Sequence, residues 1–221
     1  MFESPLSSGV VGKALKNKII DVRCLDLRDF TSNIHKSVDD YPFGGGGGMI
    51  LKPEPIFEAV DYLKQDSALK QSVPIILLSP QGSKLDQSKA ENLAKNDRIV
   101  LICGRYDGVD ERVAKHLVTE EVSIGDYVIS GGELAAMVLI DALTRLQRNA
   151  VGSAESIKDD SHTSGLLQFP QYTRPSVFRE WEVPSVLLSG NHGQIKLFRE
   201  RESIQRTLER RPDLLDGADI N

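Results

Sequence analysis

"RIVLICGRYDGVDERV" occupies residues 98–113 and changes character twice. It opens with "RIVLICG" (98–104), an apolar run without alternation, as expected of a strand buried on both faces. Gly104 and Gly108 then interrupt the pattern. "DERVAKHLV" (110–118) follows, and its leading acids mark a helix N-terminus, where negative charge meets the positive end of the helix dipole. Strand, glycine-bearing loop and helix in succession predict one part of a βαβ unit.

The same order recurs on both sides. "SVPIILLSP" (72–80) predicts a buried strand, "SPQGSKLDQ" (79–87) a loop and "KLDQSKAENLAK" (84–95) a helix. "VSIGDYVIS" (122–130) predicts a third strand, with "SIGDYVISGGEL" (123–134) spanning its end and the loop beyond. "GELAAMVLIDALTRLQ" (132–147) is a helix apolar on nearly every side, so it is expected to be buried in a large core or against a second subunit. Upstream, "SSGVVGKALKNK" (7–18) and "PIFEAVDYLKQ" (55–65) predict helices, and the alternation of "IIDVRCLDL" (19–27) predicts a strand. Strands alternating with helices imply an α/β domain, its sheet mainly parallel and covered on both faces.

A composition shift follows. "RNAVGSAESIKDDSHTSG" (148–165) is small and polar and reads as a linker. Beyond Leu166, "LLSGNHGQIKLFRERESIQRTLERRP" (187–212) predicts a long helix with a cap at Ser189 or Asn191 and a stop at Pro212. The expected organisation is an α/β domain over 1–147, a linker over 148–165 and a small helical domain over 166–221.

With 221 residues the chain can bury a sizeable core, and 40% hydrophobic with 27% charged residues is ordinary for a soluble protein. No run is long enough for a membrane span and no secretory signal is evident, so a cytoplasmic protein is expected. Two cysteines, Cys24 and Cys103, are too few for a disulfide framework or a cysteine zinc site. A net charge of -5 argues against a general polyanion binder. The segment 196–211 nevertheless holds six basic and three acidic residues.

Several common chemistries are excluded. The run Gly44–Gly48 in "YPFGGGGGMIL" (41–51) lacks the lysine and hydroxyl of a Walker loop, and no strand precedes it as a dinucleotide fingerprint requires. "GVVGKA" (9–14) is too short, and Ala14 cannot bind magnesium. His35, His116, His162 and His192 are scattered, and no G-x-S-x-G elbow occurs. What remains is three glycine-bearing loops after consecutive strands, 79–87, 103–113 and 123–134. Ligands bind outside the carboxyl ends of parallel strands, so these loops predict a pocket.

"GRYDGVDERV", "SIGDYVISGGELAAM", "LSPQGSKLDQ", "YPFGGGGGM", "YTRP" (172–175) and "VLLSGNH" (186–192) together resemble the bacterial tRNA (guanine-N1)-methyltransferases, the TrmD family. The resemblance covers nearly the whole chain, in order. It implies a SPOUT-type α/β fold with a deep trefoil knot, a homodimer, S-adenosylmethionine as methyl donor and tRNA as partner, with no membrane and no DNA. The implied target is N1 of the guanosine immediately 3′ of the anticodon. Carried over, the cofactor site comprises Pro80, Gly104, Tyr106, Asp107, Ile124, Gly125, Asp126, Tyr127, Val128, Ile129, Gly131 and Gly132. The resemblance makes Asp160 the general base and Arg145 the group facing O6. N1 carries a proton that a base must remove, and charge then builds on O6. No metal ligand is assigned, and a need for a divalent ion is not readable.

The chain departs from the family in two places. Asp107 stands where the family usually has Glu. The family also opens with an apolar strand, and this sequence starts just after it: the expectation is that the sequence as given is truncated there, the alternative being that the protein lacks one strand of its sheet. Two rivals stand beside the main reading: an RNA-binding dimer without catalysis, and a SPOUT enzyme acting on a ribose 2′-hydroxyl. The glycine run is read as a surface of close approach, facing a partner subunit or the target guanine.

Overall fold

The computed structural model describes residues 1–65, 73–152 and 159–215. The chain divides into two compact units, Met1–Val151 and Gly152–Asn221.

The first unit opens with α1 (Glu3–Leu6) and α2 (Gly9–Lys16). A two-stranded antiparallel pair follows, β1 (Asp39–Asp40) and β2 (Ile50–Leu51), then α3 (Pro53–Gln65). Next come β3 (Ile75–Lys84), α4 (Gln87–Leu93), β4 (Val100–Cys103), α5 (Glu111–His116), β5 (Glu120–Ser123) and α6 (Gly132–Arg145). β3, β4 and β5 form a parallel sheet in the order β4-β3-β5.

β3 explains why its sequence lacks alternation. Ile75 and Leu77 enter one core cluster with Ile56, Val60, Ile102 and Val113. Ile76 and Leu78 enter another with Leu93, Val122, Ala135 and Leu139. Successive strand side chains point to opposite faces, so a strand covered by α3 and α5 on one side and α4 and α6 on the other needs apolar residues throughout. The helices start where their capping residues allow. Asp86 Oδ1 accepts from Lys89 N at 2.7 Å before α4, and Asp110 Oδ1 accepts from Arg112 N at 2.9 Å before α5.

Three expectations are corrected in this unit. "IIDVRCLDL" forms no strand: residues 20–26 are irregular and a 3-10 turn, Leu27–Phe30, follows. Ile20, Val22, Leu25 and Leu27 are half-buried, which accounts for the alternation, but a strand also needs a neighbour to accept its hydrogen bonds. β3 does not stop at Pro80. It resumes pairing after a bulge, Leu78 and Ser83 both facing Val122, and Pro80 sits in that interruption, where no amide donor is needed. The third strand is Glu120–Ser123, earlier than 122–130. Ser123 Oγ donates to Gly125 O at 3.0 Å and accepts from Gly125 N at 3.2 Å, which turns the chain out of the ladder. On α6, Ala135, Ala136 and Leu139 face the core, whereas Leu134 and Val138 are 47% and 49% exposed in the single chain, which accords with the second-subunit alternative and not with burial in one core.

The second unit holds an antiparallel pair, β6 (Val177–Phe178) and β7 (Trp181–Glu182), then α7 (Ser185–Leu188) and α8 (His192–Arg210). It is therefore not purely helical. Of the two cap candidates, Asn191 caps α8, its Oδ1 accepting from Gln194 N at 3.2 Å. Ser189 closes α7 instead, donating to Val186 O at 2.7 Å. Thr207 of α8 is fully buried and its Oγ1 accepts from Leu167 N at 2.9 Å, pinning the segment that follows the turn at 159–164.

Candidate active site

Parallel strands end on the same edge of their sheet. β4 and β5 therefore release their loops, 104–109 and 124–131, beside the bulge 79–82 of β3. Backbone bonds then tie the segments together. Gly132 N donates to Gly104 O at 2.7 Å, Arg105 bridges Gly131, and Leu85 N donates to Ser123 O at 2.7 Å. Side chains add two ion pairs, Arg105 Nε to Glu133 Oε1 at 2.7 Å and Lys84 Nζ to Asp126 Oδ2 at 2.9 Å. Pro80, Gly104, Tyr106, Asp107, Ile124, Gly125, Asp126, Tyr127, Val128, Ile129, Gly131 and Gly132 thus gather along one edge of one unit.

Within the third loop, Ile124 and Ile129 pack against the second core cluster. Asp126, Tyr127 and Val128 between them are exposed. Tyr127 folds back over Gly125, and its hydroxyl donates to Ile124 O at 3.2 Å. Gly132 opens α6 against the end of β4: an added Cβ would lie 2.8 Å from Cys103 Cα and 3.0 Å from Gly104 N. No larger residue lets helix and strand approach so closely.

The glycine run joins this edge. It lies in the hairpin loop between β1 and β2. Its far end docks on the second loop, with Asp107 N donating to Met49 O at 3.0 Å and Leu51 N to Gly108 O at 3.0 Å. Gly48 has φ +88°, and a Cβ there would overlap the Asp107 carboxylate. At Gly48 the close approach is thus to Asp107 of the same chain, a neighbour other than the expected partner subunit or guanine. Around Gly44, Gly45, Gly46 and Gly47 the space is open.

Burial pushes the Cys103 thiol up to about 12, and Glu133 adds to the shift. Cys103 is thus a protonated, half-buried packing residue at neutral pH. The Asp110 carboxyl is held below its ordinary value chiefly by hydrogen bonds from Arg112, at 2.8 Å from Nε and from Nη2. Among the described residues no group of three or more His, Cys, Asp and Glu is placed to hold a metal ion.

Arg145 closes α6, in the first unit, and is partly buried. Asp160 lies in the second unit, partly buried in the turn 159–164, where its carbonyl accepts from Thr163 N at 3.2 Å. The structure gathers the loop residues, whereas Asp160 and Arg145 belong to different units.

A family model described as tRNA (Guanine-1)-methyltransferase TrmD matches residues 1–217. The chain belongs to the TrmD family. Curated relatives agree. A tRNA (guanine-N(1)-)-methyltransferase of Dehalococcoides mccartyi strain CBDB1 is 54% identical, aligned over 100% of this chain and 88% of its own length. Proteins with the same name from Geobacillus kaustophilus and Alkaliphilus metalliredigens are 53% and 49% identical, over 98% and 100% of this chain and 87% and 89% of their own lengths. The TrmD match runs through all three loops, Arg145 and Asp160.

Sequence reasoning passed over the Arg105–Glu133 pair, which latches the second loop to the start of α6. The available signal was two opposite charges, each directly after a glycine of neighbouring loops, Gly104-Arg105 and Gly132-Glu133.

Proposed function

We propose that this chain methylates N1 of the guanosine immediately 3′ of the anticodon in tRNA, position 37, with S-adenosylmethionine as donor. The observation that carries the reading is the TrmD match over residues 1–217. The loops fit the donor: Gly104, Gly125, Gly131 and Gly132 bring loop backbone to this edge, and backbone donors and acceptors suit the edge of a neutral purine. The residues that would hold it are Pro80, Gly104, Tyr106, Asp107, the stretch 124–129, Gly131 and Gly132. When bound, the donor supplies an electrophilic methyl group. The chain's own residues do the rest. Asp160 takes the N1 proton, and Arg145 offsets the charge that builds on O6. Asp107 keeps the carboxylate of the family's usual Glu with one methylene less reach, and its place over Gly48 links the donor loop to the glycine hairpin.

The finer architecture belongs to the same reading. The sheet is of SPOUT type with a deep trefoil knot, and residues 1–147 bind the cofactor and dimerise. The exposed Leu134 and Val138 on α6 support a homodimer, since a helix face of that kind asks for a partner. Residues 148–165 link this domain to a tRNA-binding region, 166–221, in which Arg174 and the basic residues of α8 contact the phosphate backbone. The enzyme works in the cytoplasm.

One assay separates this reading from its rivals. The protein is incubated with labelled S-adenosylmethionine and an unmodified tRNA transcript, and the RNA is digested to nucleosides. Label in 1-methylguanosine is expected. Label only in a ribose-methylated nucleoside overturns the reading, and intact tRNA binding without label favours a non-catalytic RNA binder.

A further inference from the structure

β6 and β7 make a minimal hairpin with Arg179 and Glu180 at its tip. Phe178 faces Trp181 in register and Val177 faces Glu182. Side chains alternate along a strand, so the two aromatic rings share one face and Glu182 lies on the other. The rings sit 6.2 Å apart, tilted by 51°, and the Arg179 guanidinium lies 5.3 Å from the Phe178 centroid. Among the described residues of this unit nothing covers them: Phe178 is 56% and Trp181 69% exposed, and every residue from 171 to 182 is exposed.

A turn of this kind normally uses Asn-Gly or Asp-Gly, because both central residues take positive φ. Here Arg179 (φ 48°) and Glu180 (φ 68°) occupy those positions. A purely structural hairpin would need neither a strained charged tip nor two large aromatics in water. We propose that the Phe178–Trp181 face, flanked by Arg179, is a stacking platform for an unpaired base of the RNA substrate. Single-stranded RNA is held by stacking bases on aromatic rings and guanidinium planes, with cations meeting the adjacent phosphates. The hairpin offers those groups together, and the alternation keeps Glu182 off the aromatic face. The inference rests on tRNA being the substrate and adds a contact outside the donor loops.

Trp181 is the only tryptophan of the chain, so its emission reports this face alone. An unmodified tRNA transcript is titrated into the protein without methyl donor, with saturation followed separately by filter binding. Saturable quenching is expected. Trp181→Ala and Phe178→Ala are each expected to weaken tRNA binding ~10-fold, as loss of one stacked base does, with donor affinity and circular dichroism unchanged. Trp181→Phe should retain most of the binding. Unchanged emission at saturating tRNA, with wild-type affinity in Trp181→Ala, overturns the platform. So does a Trp181→Ala variant that falls from dimer to monomer, which assigns the face to a second copy. Binding is read without turnover: a chain that forms 1-methylguanosine while Trp181 ignores tRNA keeps the proposed reaction and loses the platform. Quenching without 1-methylguanosine does the reverse.

Discussion

Asp160 and Gly48 show how differently single residues declare themselves. Asp160 sits in a polar stretch, and nothing local distinguishes it from a solvated loop acid; only the family resemblance singles it out. Its proposed role predicts that Asp160→Ala lowers kcat by about 10²–10⁴-fold, the usual worth of a positioned base, with donor binding preserved by calorimetry. A near-normal rate removes it as the base. Gly48 was legible as a glycine but not as a neighbour of Asp107, because the two are far apart in sequence. Gly48→Ala is expected to cost about 1–2 kcal/mol in denaturant unfolding, from a left-handed backbone and a steric overlap. Adding Asp107→Ala relieves only the overlap, so the double variant should recover part of the loss. Cys103 gives a chemical test. Ellman's reagent at neutral pH should titrate the exposed Cys24 first and reach Cys103 only in denaturant. The folded state raises the Cys103 thiol from 9.0 to about 12 and so favours its protonated form. Its contribution to stability is complete below pH 9 and is lost as pH rises towards 12.

Among the elements, those with a strong local cause and the buried strands β3 and β4 were read correctly, whereas strand limits that depend on a partner were not. Asp86, Asp110 and Asn191 accept backbone N–H bonds within three residues, so the starts of α4, α5 and α8 are local events. Strand limits in β3 and β5, and the absence of a strand at 19–27, depend on ladders that close over dozens of residues. α6 falls between the two cases. It is so uniformly apolar that its period does not reveal which face is inside. Leu139 is fully buried, so Leu139→Ala is expected to cost about 2–5 kcal/mol. Leu134→Ala, on the exposed face of the same helix, should stay within about 0.5 kcal/mol in a single chain. Urea unfolding of the two variants under conditions where the chain is monomeric measures the contrast, and equal losses there would contradict the placement of the core.

At the scale of the whole molecule, the exposed stripe of α6 leads to assembly. If a second copy covers it, replacing Leu134 and Val138 together by Lys should shift the protein to monomer in sedimentation, while each subunit keeps its helical content. A wild-type chain that sediments as monomer at micromolar concentration overturns the dimer. The sequence by itself determined the α/β class, the places of most helices, the glycine-bearing loops and the family, because apolar period and motif order are written in consecutive residues. Only the tertiary structure decided that 79–82, 104–109 and 124–131 meet on one edge, that Asp107 rests on Gly48, and that Phe178 and Trp181 share an open face. The physical reason is that burial period is a property of a segment, whereas a hydrogen-bonding neighbour and a close approach belong to pairs of segments.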